Sequence, residues 1–143
     1  MTASSFTNPH YHRPLVLGAR WTYLILAGLF AVGIVLQVFF AGLGVLVDPG
    51  YFGLHTTFAH LLEPLLLALL VLGVVGRVGW RVFGFNALLL VLFGMQYAFM
   101  YGFQGPLRAL HVVNALALFW LALHLTRRSW RLIRAGQPVK GGL

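Results

Sequence analysis

Residues 53–75 read GLHTTFAHLLEPLLLALLVLGVV, an apolar run that carries two histidines and one glutamate in its first half. A helix needs about 20 consecutive apolar residues to cross a bilayer. The run is therefore interpreted as a transmembrane helix. Imidazole and carboxyl groups at depth in a bilayer are costly, and proteins that place them there usually use them.

The remainder of the chain has the composition of a membrane protein. Of its 143 residues, 60% are hydrophobic and 8% are charged, whereas soluble globular proteins have about 25% charged residues. The absence of cysteine excludes disulfides, iron–sulfur clusters, thiolate metal ligands and covalently attached c-type haem. The net charge is +8, but the cationic residues lie at the ends of apolar runs, so no nucleic-acid partner is expected.

Four apolar segments have the length of a membrane span, and turn-forming residues separate them. The predicted spans are residues 21–47, 53–75, 82–101 and 107–126, preceded by a polar arm (1–20) and followed by a basic tail (127–143). Short connections favour antiparallel neighbours. The sequence therefore predicts an all-α membrane protein, an up-down-up-down bundle of four transmembrane helices in which helices 2 and 4 run parallel on a diagonal.

The distribution of lysine and arginine predicts the orientation in the membrane. Nine of the ten cationic residues fall at the two termini or between helices 2 and 3, and only Arg108 lies on the opposite side. The positive-inside rule makes the side with nine cations cytoplasmic. Both termini are therefore expected in the cytoplasm, with the lipid bilayer of a bacterial plasma membrane around the helices.

Each predicted span carries a polar residue in its outer half. These residues are Gln37, His60, Gln96 and His111, and at about 1.5 Å per residue they lie roughly 6–14 Å from the outer helix ends. His60 and His111 are on parallel helices at similar depths, so they are expected to face each other. Alternatively, the four side chains only fix helix packing, where one interhelical hydrogen bond contributes about 0.6 kcal/mol.

Two facing imidazoles in an apolar bundle are a typical ligand set for b-type haem. Zinc would require further ligands that the spans do not provide. The sequence thus predicts one haem b with His60 and His111 as axial ligands to its iron. Arg108 and His55 are expected near the haem propionates, with a snorkelling anchor at the membrane interface as the alternative for Arg108. Glu63 lies on nearly the same helix face as His60 and is expected to be protonated, to hydrogen-bond His60 or to meet a cation.

Gln37 and Gln96 complete the predicted cofactor-binding layer. His55 lies about 140° around the helix from His60, so it is not expected to face the same centre. His124 has no matching histidine at the inner end of helix 2, which limits the prediction to a single haem. The roles of His10 and His12 in the N-terminal arm stay open.

Three motifs carry a resemblance to a known group of proteins. They are FFAGLGVL (39–46), LHTTFAHLLEPL (54–65) and LHVVNALALF (110–119), and they resemble a family of small, uncharacterised bacterial four-helix membrane proteins. More distantly, the histidines of helices 2 and 4 are similar in position to those of one half of haem A synthase and of small b-type cytochromes. Because Glu63 follows His60, the glutamate-before-histidine signature of haem A synthase is missing, and the resemblance implies the architecture alone.

Three functions are compatible with these residues. The leading hypothesis is electron transfer or redox sensing by a b-type haem near the outer face, with a redox partner or a larger membrane complex. A non-catalytic accessory or assembly subunit is the second, and a quinone or proton site at Glu63, His60 and Gln96 is the third. An electron carrier or subunit is expected rather than a stand-alone enzyme, because Asp48 alone cannot complete a nucleophilic triad.

Overall fold

The computed structural model describes residues 13–135, except for the side chain of Arg13, and all regular elements in this part are helical. The long helices are α1 (Arg13–Leu46), α2 (Phe52–Val75), α3 (Trp80–Tyr97) and α4 (Leu110–Ala135). A 3-10 turn (Pro49–Tyr51) precedes α2, a π-helical segment (Ala98–Gly102) follows α3, and a second 3-10 turn (Gly105–Ala109) precedes α4. Within the described residues, four helices are long and apolar enough to cross a membrane.

The first and last helices are longer than the predicted spans. Helix α1 begins at Arg13 rather than at residue 21, and α4 continues to Ala135 rather than ending at 126. The predicted spans end where the sequence stops being apolar. The helices continue further, because arginine does not interrupt the backbone hydrogen bonds of a helix and its long side chain can reach water. Residues 1–12 of the predicted arm, which include His10 and His12, and the tail beyond Ala135 lie outside the described residues.

The four helices pack in a ring. Helix α1 contacts α2 and α4, and α3 contacts the same two helices, whereas the described parts of α2 and α4 make no close backbone approach. Contacts join the start of α1 to the end of its neighbours. The Nε atom of Arg20 donates to the carbonyl of Gly76 at 2.8 Å, and the rings of Trp21 and Trp130 lie 6.0 Å apart. Side chains of α2 and α4 therefore meet across the interior.

One apolar cluster fills this interior. It includes Tyr23, Phe30, Ile34, Leu62, Leu66, Leu69, Val82, Leu89, Phe93, Leu118, Leu121 and Leu125. Large apolar side chains also cover the outside, among them Val32, Val71 and Leu116. A soluble bundle would present polar residues on that surface, so an apolar exterior on all four helices fits a lipid environment.

Candidate functional site

The structure brings together two histidines from diagonal helices, His55 of α2 and His111 of α4. Their ring centroids are 6.0 Å apart, and their ring planes meet at 60°. Both residues lie in the first turn of their helices, at the same end of the bundle. Both are partly buried. The contact is the one place in the described residues where two histidine rings approach each other.

A backbone carbonyl from the neighbouring helix orients each ring. The Nδ1 atom of His55 lies 3.0 Å from the carbonyl oxygen of Gln37 in α1. The Nδ1 atom of His111 lies 3.1 Å from the carbonyl oxygen of Gln96 in α3. Because a carbonyl can only accept, Nδ1 is the protonated nitrogen of each neutral ring, and Nε2 retains its lone pair. Metal-binding histidines are commonly oriented by the same kind of hydrogen bond.

The two glutamines differ in what their side chains contact. The Oε1 atom of Gln96 accepts a hydrogen bond of 2.9 Å from Nδ2 of Asn114, which also donates to the carbonyl of Leu92 at 2.7 Å. Gln37 is only 8% exposed, and its Oε1 atom has no hydrogen-bond partner in the part of the chain that the structure describes. Buried amides without partners are rare, so Gln37 marks a place where a water or a bound group can donate.

The structure places His60 elsewhere. Its Nδ1 atom lies 2.9 Å from Oε1 of Glu63, and its ring stacks on Tyr97 with centroids 6.1 Å apart. The Tyr97 hydroxyl donates to the same Glu63 oxygen at 2.5 Å. The side chains of His60 and Glu63 are 58% and 45% exposed. The predicted His60–His111 pair is corrected accordingly, because His111 lies beside His55 and His60 belongs to an outward-facing cluster with Tyr97.

The buried stripe of α2 explains why His55 rather than His60 faces inward. Leu62 and Leu66 are at most 4% exposed, and His55 precedes Leu62 by seven residues, which is two turns on the same face. His111 likewise precedes the fully buried Leu118 by seven residues. Each of these helices carries apolar residues on every side, so the sequence lacks the amphipathic pattern that would have identified the inward face.

The structure also shows the surroundings of Arg108, which was predicted near the site, and of His124, which was excluded from it. Arg108 is exposed, and its Nε atom donates to the carbonyl of Phe103 at 3.0 Å, one helical turn before His111. The ring of His124 lies between Phe85 and Trp120, with centroids at 4.8 Å and 5.5 Å. Its Nε2 atom is buried without a hydrogen-bond partner in the described segment. His124 is far along α4 from the paired histidines and makes no contribution to their layer.

Tyr97 is the site residue that sequence reasoning missed. It is the last residue of α3, and the π-helical segment begins directly after it. A usable signal was present, since a tyrosine hydroxyl within a span needs a hydrogen-bond partner and Glu63 is the only acidic residue in any span. Short π-helical segments are frequent at functional sites, but the sequence of this one does not distinguish it from α-helix.

The described part of the protein is a four-helix bundle whose helices are long and apolar enough to cross a membrane, and it carries a layer of polar side chains at one end. A family model described as a family of unknown function (DUF6220) matches residues 37–104. The matched part begins at Gln37 and includes His55, His60 and Glu63, whereas His111 follows it. The chain is thus similar to an uncharacterised family, as its motifs predicted. No curated protein and no solved structure matches the chain.

Proposed function

We propose that the protein is a membrane-embedded b-type haem protein in which His55 and His111 are the axial ligands, and that it transfers electrons or senses redox state. The observation that carries this proposal is the pair of inward-facing imidazoles from diagonal helices. Each is oriented through Nδ1 by a carbonyl of the adjacent helix, which leaves Nε2 as the ligand atom.

The donor set fits an iron porphyrin. The rings of His55 and His111 lie 6.0 Å apart between centroids, and these two imidazoles would hold the iron through Nε2. Haem requires only two protein ligands. A structural zinc site requires four, and no three His, Cys, Asp or Glu side chains among residues 13–135 could hold a metal ion together.

The chain's own residues have defined tasks in this site. The carbonyls of Gln37 and Gln96 hold the tautomers of the two imidazoles and increase the basicity of Nε2. Arg108 supplies the positive charge for an anionic substituent, one turn from His111. Bound haem would supply a one-electron redox couple.

The orientation in the membrane belongs to the same proposal. We infer an up-down-up-down bundle in a bacterial plasma membrane, with both termini in the cytoplasm, because nine of ten cationic residues lie on that side. The histidine pair then lies in the outer half of the bilayer, where a redox partner or a larger membrane complex would exchange electrons with it.

Absorption spectra of the purified protein test the haem proposal. The protein is expressed in haem-replete cells and purified in detergent, and spectra are recorded before and after reduction with dithionite. We expect a Soret band, a low-spin reduced spectrum and one haem per chain, since two imidazoles form a six-coordinate site. A colourless preparation from such cells would overturn the proposal.

Variants of the three histidines identify the ligands. His55→Gly and His111→Gly are each expected to lose the low-spin spectrum and to recover it when imidazole is added, which separates loss of a ligand from failure to fold. His60→Gly is the matched control and is expected to keep the spectrum. Loss of the spectrum in His60→Gly with retention in His55→Gly would restore the pair predicted from sequence.

An accessory or assembly subunit is the second candidate function. It is favoured by the fact that the contacts of His55, His111 and Asn114 all join adjacent helices through backbone carbonyls. Under this alternative the histidine layer serves only helix packing. The wild-type protein would then be colourless, and histidine substitutions would alter stability or partner binding without any spectral change.

A further inference from the structure

Three polar side chains lie together on the outward face of α2 and α3, and they are named here the His60–Glu63–Tyr97 cluster. The Oε1 atom of Glu63 receives hydrogen bonds from Nδ1 of His60 and from the Tyr97 hydroxyl. His60 and Glu63 are 58% and 45% exposed, and both lie well inside the second span. Polar groups that face hydrocarbon cannot be satisfied by bulk water, so a partner for them is expected.

The remaining atoms of the cluster are hydrogen-bond acceptors. In the neutral ring of His60, Nδ1 donates to Glu63 and Nε2 retains its lone pair. Glu63 has a second carboxyl oxygen, Oε2, with no hydrogen-bond partner among the described residues. Pro64 has no N–H, so it cannot donate to the carbonyl of His60 as other helical residues would. An acceptor-rich patch of this kind is complementary to a ligand that carries hydroxyl donors.

The shape of the surface suits a flat ring with an aliphatic tail. The rings of His60, Tyr97 and Tyr101 form a stack, with centroids 6.1 Å and 6.4 Å apart and interplanar angles of 22° and 14°. One turn before Tyr97, a Cβ placed on Gly94 would meet nothing within 4 Å, which leaves open space beside the stack. The exposed Leu67, seven residues after His60 and therefore on the same face of α2, continues the surface.

We propose that the His60–Glu63–Tyr97 cluster binds the reduced head group of a lipid-soluble quinol. The quinol hydroxyls donate to Nε2 of His60 and Oε2 of Glu63, and the isoprenoid tail lies on the aliphatic surface of the bundle. A quinone presents carbonyl acceptors instead of hydroxyl donors, so the cluster discriminates in favour of the reduced form. The site is separate from the histidine layer, and its occupation does not depend on haem.

Ligand retention by protein in lipid nanodiscs tests this proposal. Decylubiquinol, kept reduced under argon, is added to nanodiscs with and without the protein, and the excess retained by the protein-containing discs is measured against the ligand-to-lipid ratio. We expect a saturable excess for decylubiquinol and an affinity for decylubiquinone about tenfold weaker, the difference associated with one hydrogen bond to a charged group. Equal retention of both forms, or no saturable excess, would overturn the proposal.

One matched pair of variants and a third substitution assign the binding to this cluster. Tyr97→Phe removes the hydroxyl that holds Glu63, whereas Tyr101→Phe removes a hydroxyl from the same aromatic stack without touching the cluster. We expect about tenfold weaker quinol binding in Tyr97→Phe and unchanged binding in Tyr101→Phe. Glu63→Gln should weaken binding similarly, and its circular dichroism should show that it still folds.

The outcomes also separate this proposal from the haem proposal and from self-association. His111→Gly should lose the haem spectrum and retain quinol binding. Glu63→Gln should retain the haem spectrum and bind quinol more weakly. If Glu63→Gln instead changes the oligomeric state while quinol retention is unaffected, the cluster is a contact between copies of the chain, and the quinol proposal is wrong.

Discussion

At the scale of single residues, the interior contains one hydrogen bond that links two helices on opposite corners of the bundle. Tyr23 of α1 is fully buried, and its hydroxyl donates to Oδ1 of Asn86 in α3 at 2.8 Å. Asn86 is 4% exposed and lies 3.5 Å from the carbonyl of Leu69 through Nδ2. Burial removes the Asn86 amide from water, and this costs free energy whether or not the amide finds a partner. Only an arrangement of α1 and α3 that keeps the Tyr23–Asn86 hydrogen bond offsets that cost.

Removal of the Tyr23 hydroxyl should destabilise the bundle. In Tyr23→Phe, Oδ1 of Asn86 loses its donor, and we expect the free energy of unfolding to fall by about 1 kcal/mol. Thermal unfolding in detergent, followed by circular dichroism, measures the change. Tyr51→Phe is the control, because Tyr51 is 39% exposed and should tolerate the substitution. Equal melting temperatures for the two variants would contradict the assigned role of the hydrogen bond.

At the scale of elements, the end of α1 positions the start of α2. A Cβ placed on Gly44 would lie 2.9 Å from atoms of the Phe52 ring, closer than real Cβ contacts. Phe52 is the first residue of α2, three residues before His55. The lack of a side chain at Gly44 thus lets the first turn of α2 pack close to α1. A Cβ placed on Gly42, two residues earlier, would meet nothing within 4 Å.

Substitution of these two glycines should have opposite effects. Gly44→Ala forces the rigid Phe52 ring to move, and we expect a loss of about 1–3 kcal/mol in stability. Gly42→Ala meets no neighbour and should be neutral or more stable by up to about 1 kcal/mol, because alanine favours helix. Thermal unfolding compares the two variants. A destabilised Gly42→Ala, or an unaffected Gly44→Ala, would show that the close approach does not limit stability.

At the scale of the whole molecule, the bundle combines an apolar surface with an asymmetric distribution of charge, and helices α1 to α4 are long and apolar enough to cross a membrane. Large apolar side chains are exposed on all four long helices, and nine of ten cationic residues belong to the termini and the connection between α2 and α3. In that connection, Nε of Arg20 donates to the carbonyl of Gly76. A cation at the C-terminal end of a helix interacts favourably with the helix dipole. This contact thus stabilises the packing of α1 against the end of α2.

Single cysteines test the proposed orientation without background, because the chain contains no cysteine. Tyr101 and Trp80 are 75% and 81% exposed at opposite ends of the third span. In intact cells, we expect a membrane-impermeant maleimide to label Tyr101→Cys and to leave Trp80→Cys unlabelled until the membrane is permeabilised. The reverse pattern of labelling would place the termini on the outside.

Much of the architecture was predictable from the sequence, because membrane-spanning helices are decided by length and apolarity alone. The four long helices appear where four apolar runs were identified, with turns at their boundaries. Sequence reasoning also identified Gln37, His60, Gln96 and His111 as polar residues at depth, with Glu63 as the one acidic residue in a span. It paired His60 with His111 and discounted His55, whereas the structure places His55 beside His111. Helical spacing gives the angle between His55 and His60 but not which of them faces inward.

Length and apolarity along the chain are sufficient to define four apolar helices and to show which of their few polar residues lie within the spans. The rotation of each helix about its axis, in contrast, is known only from the packed bundle. Rotation depends on how ridges of side chains fit the neighbouring helices, and leucines on every side of α2 leave no amphipathic pattern to reveal it. That rotation places His55 beside His111 and leaves the His60–Glu63–Tyr97 cluster on the outer surface of the bundle.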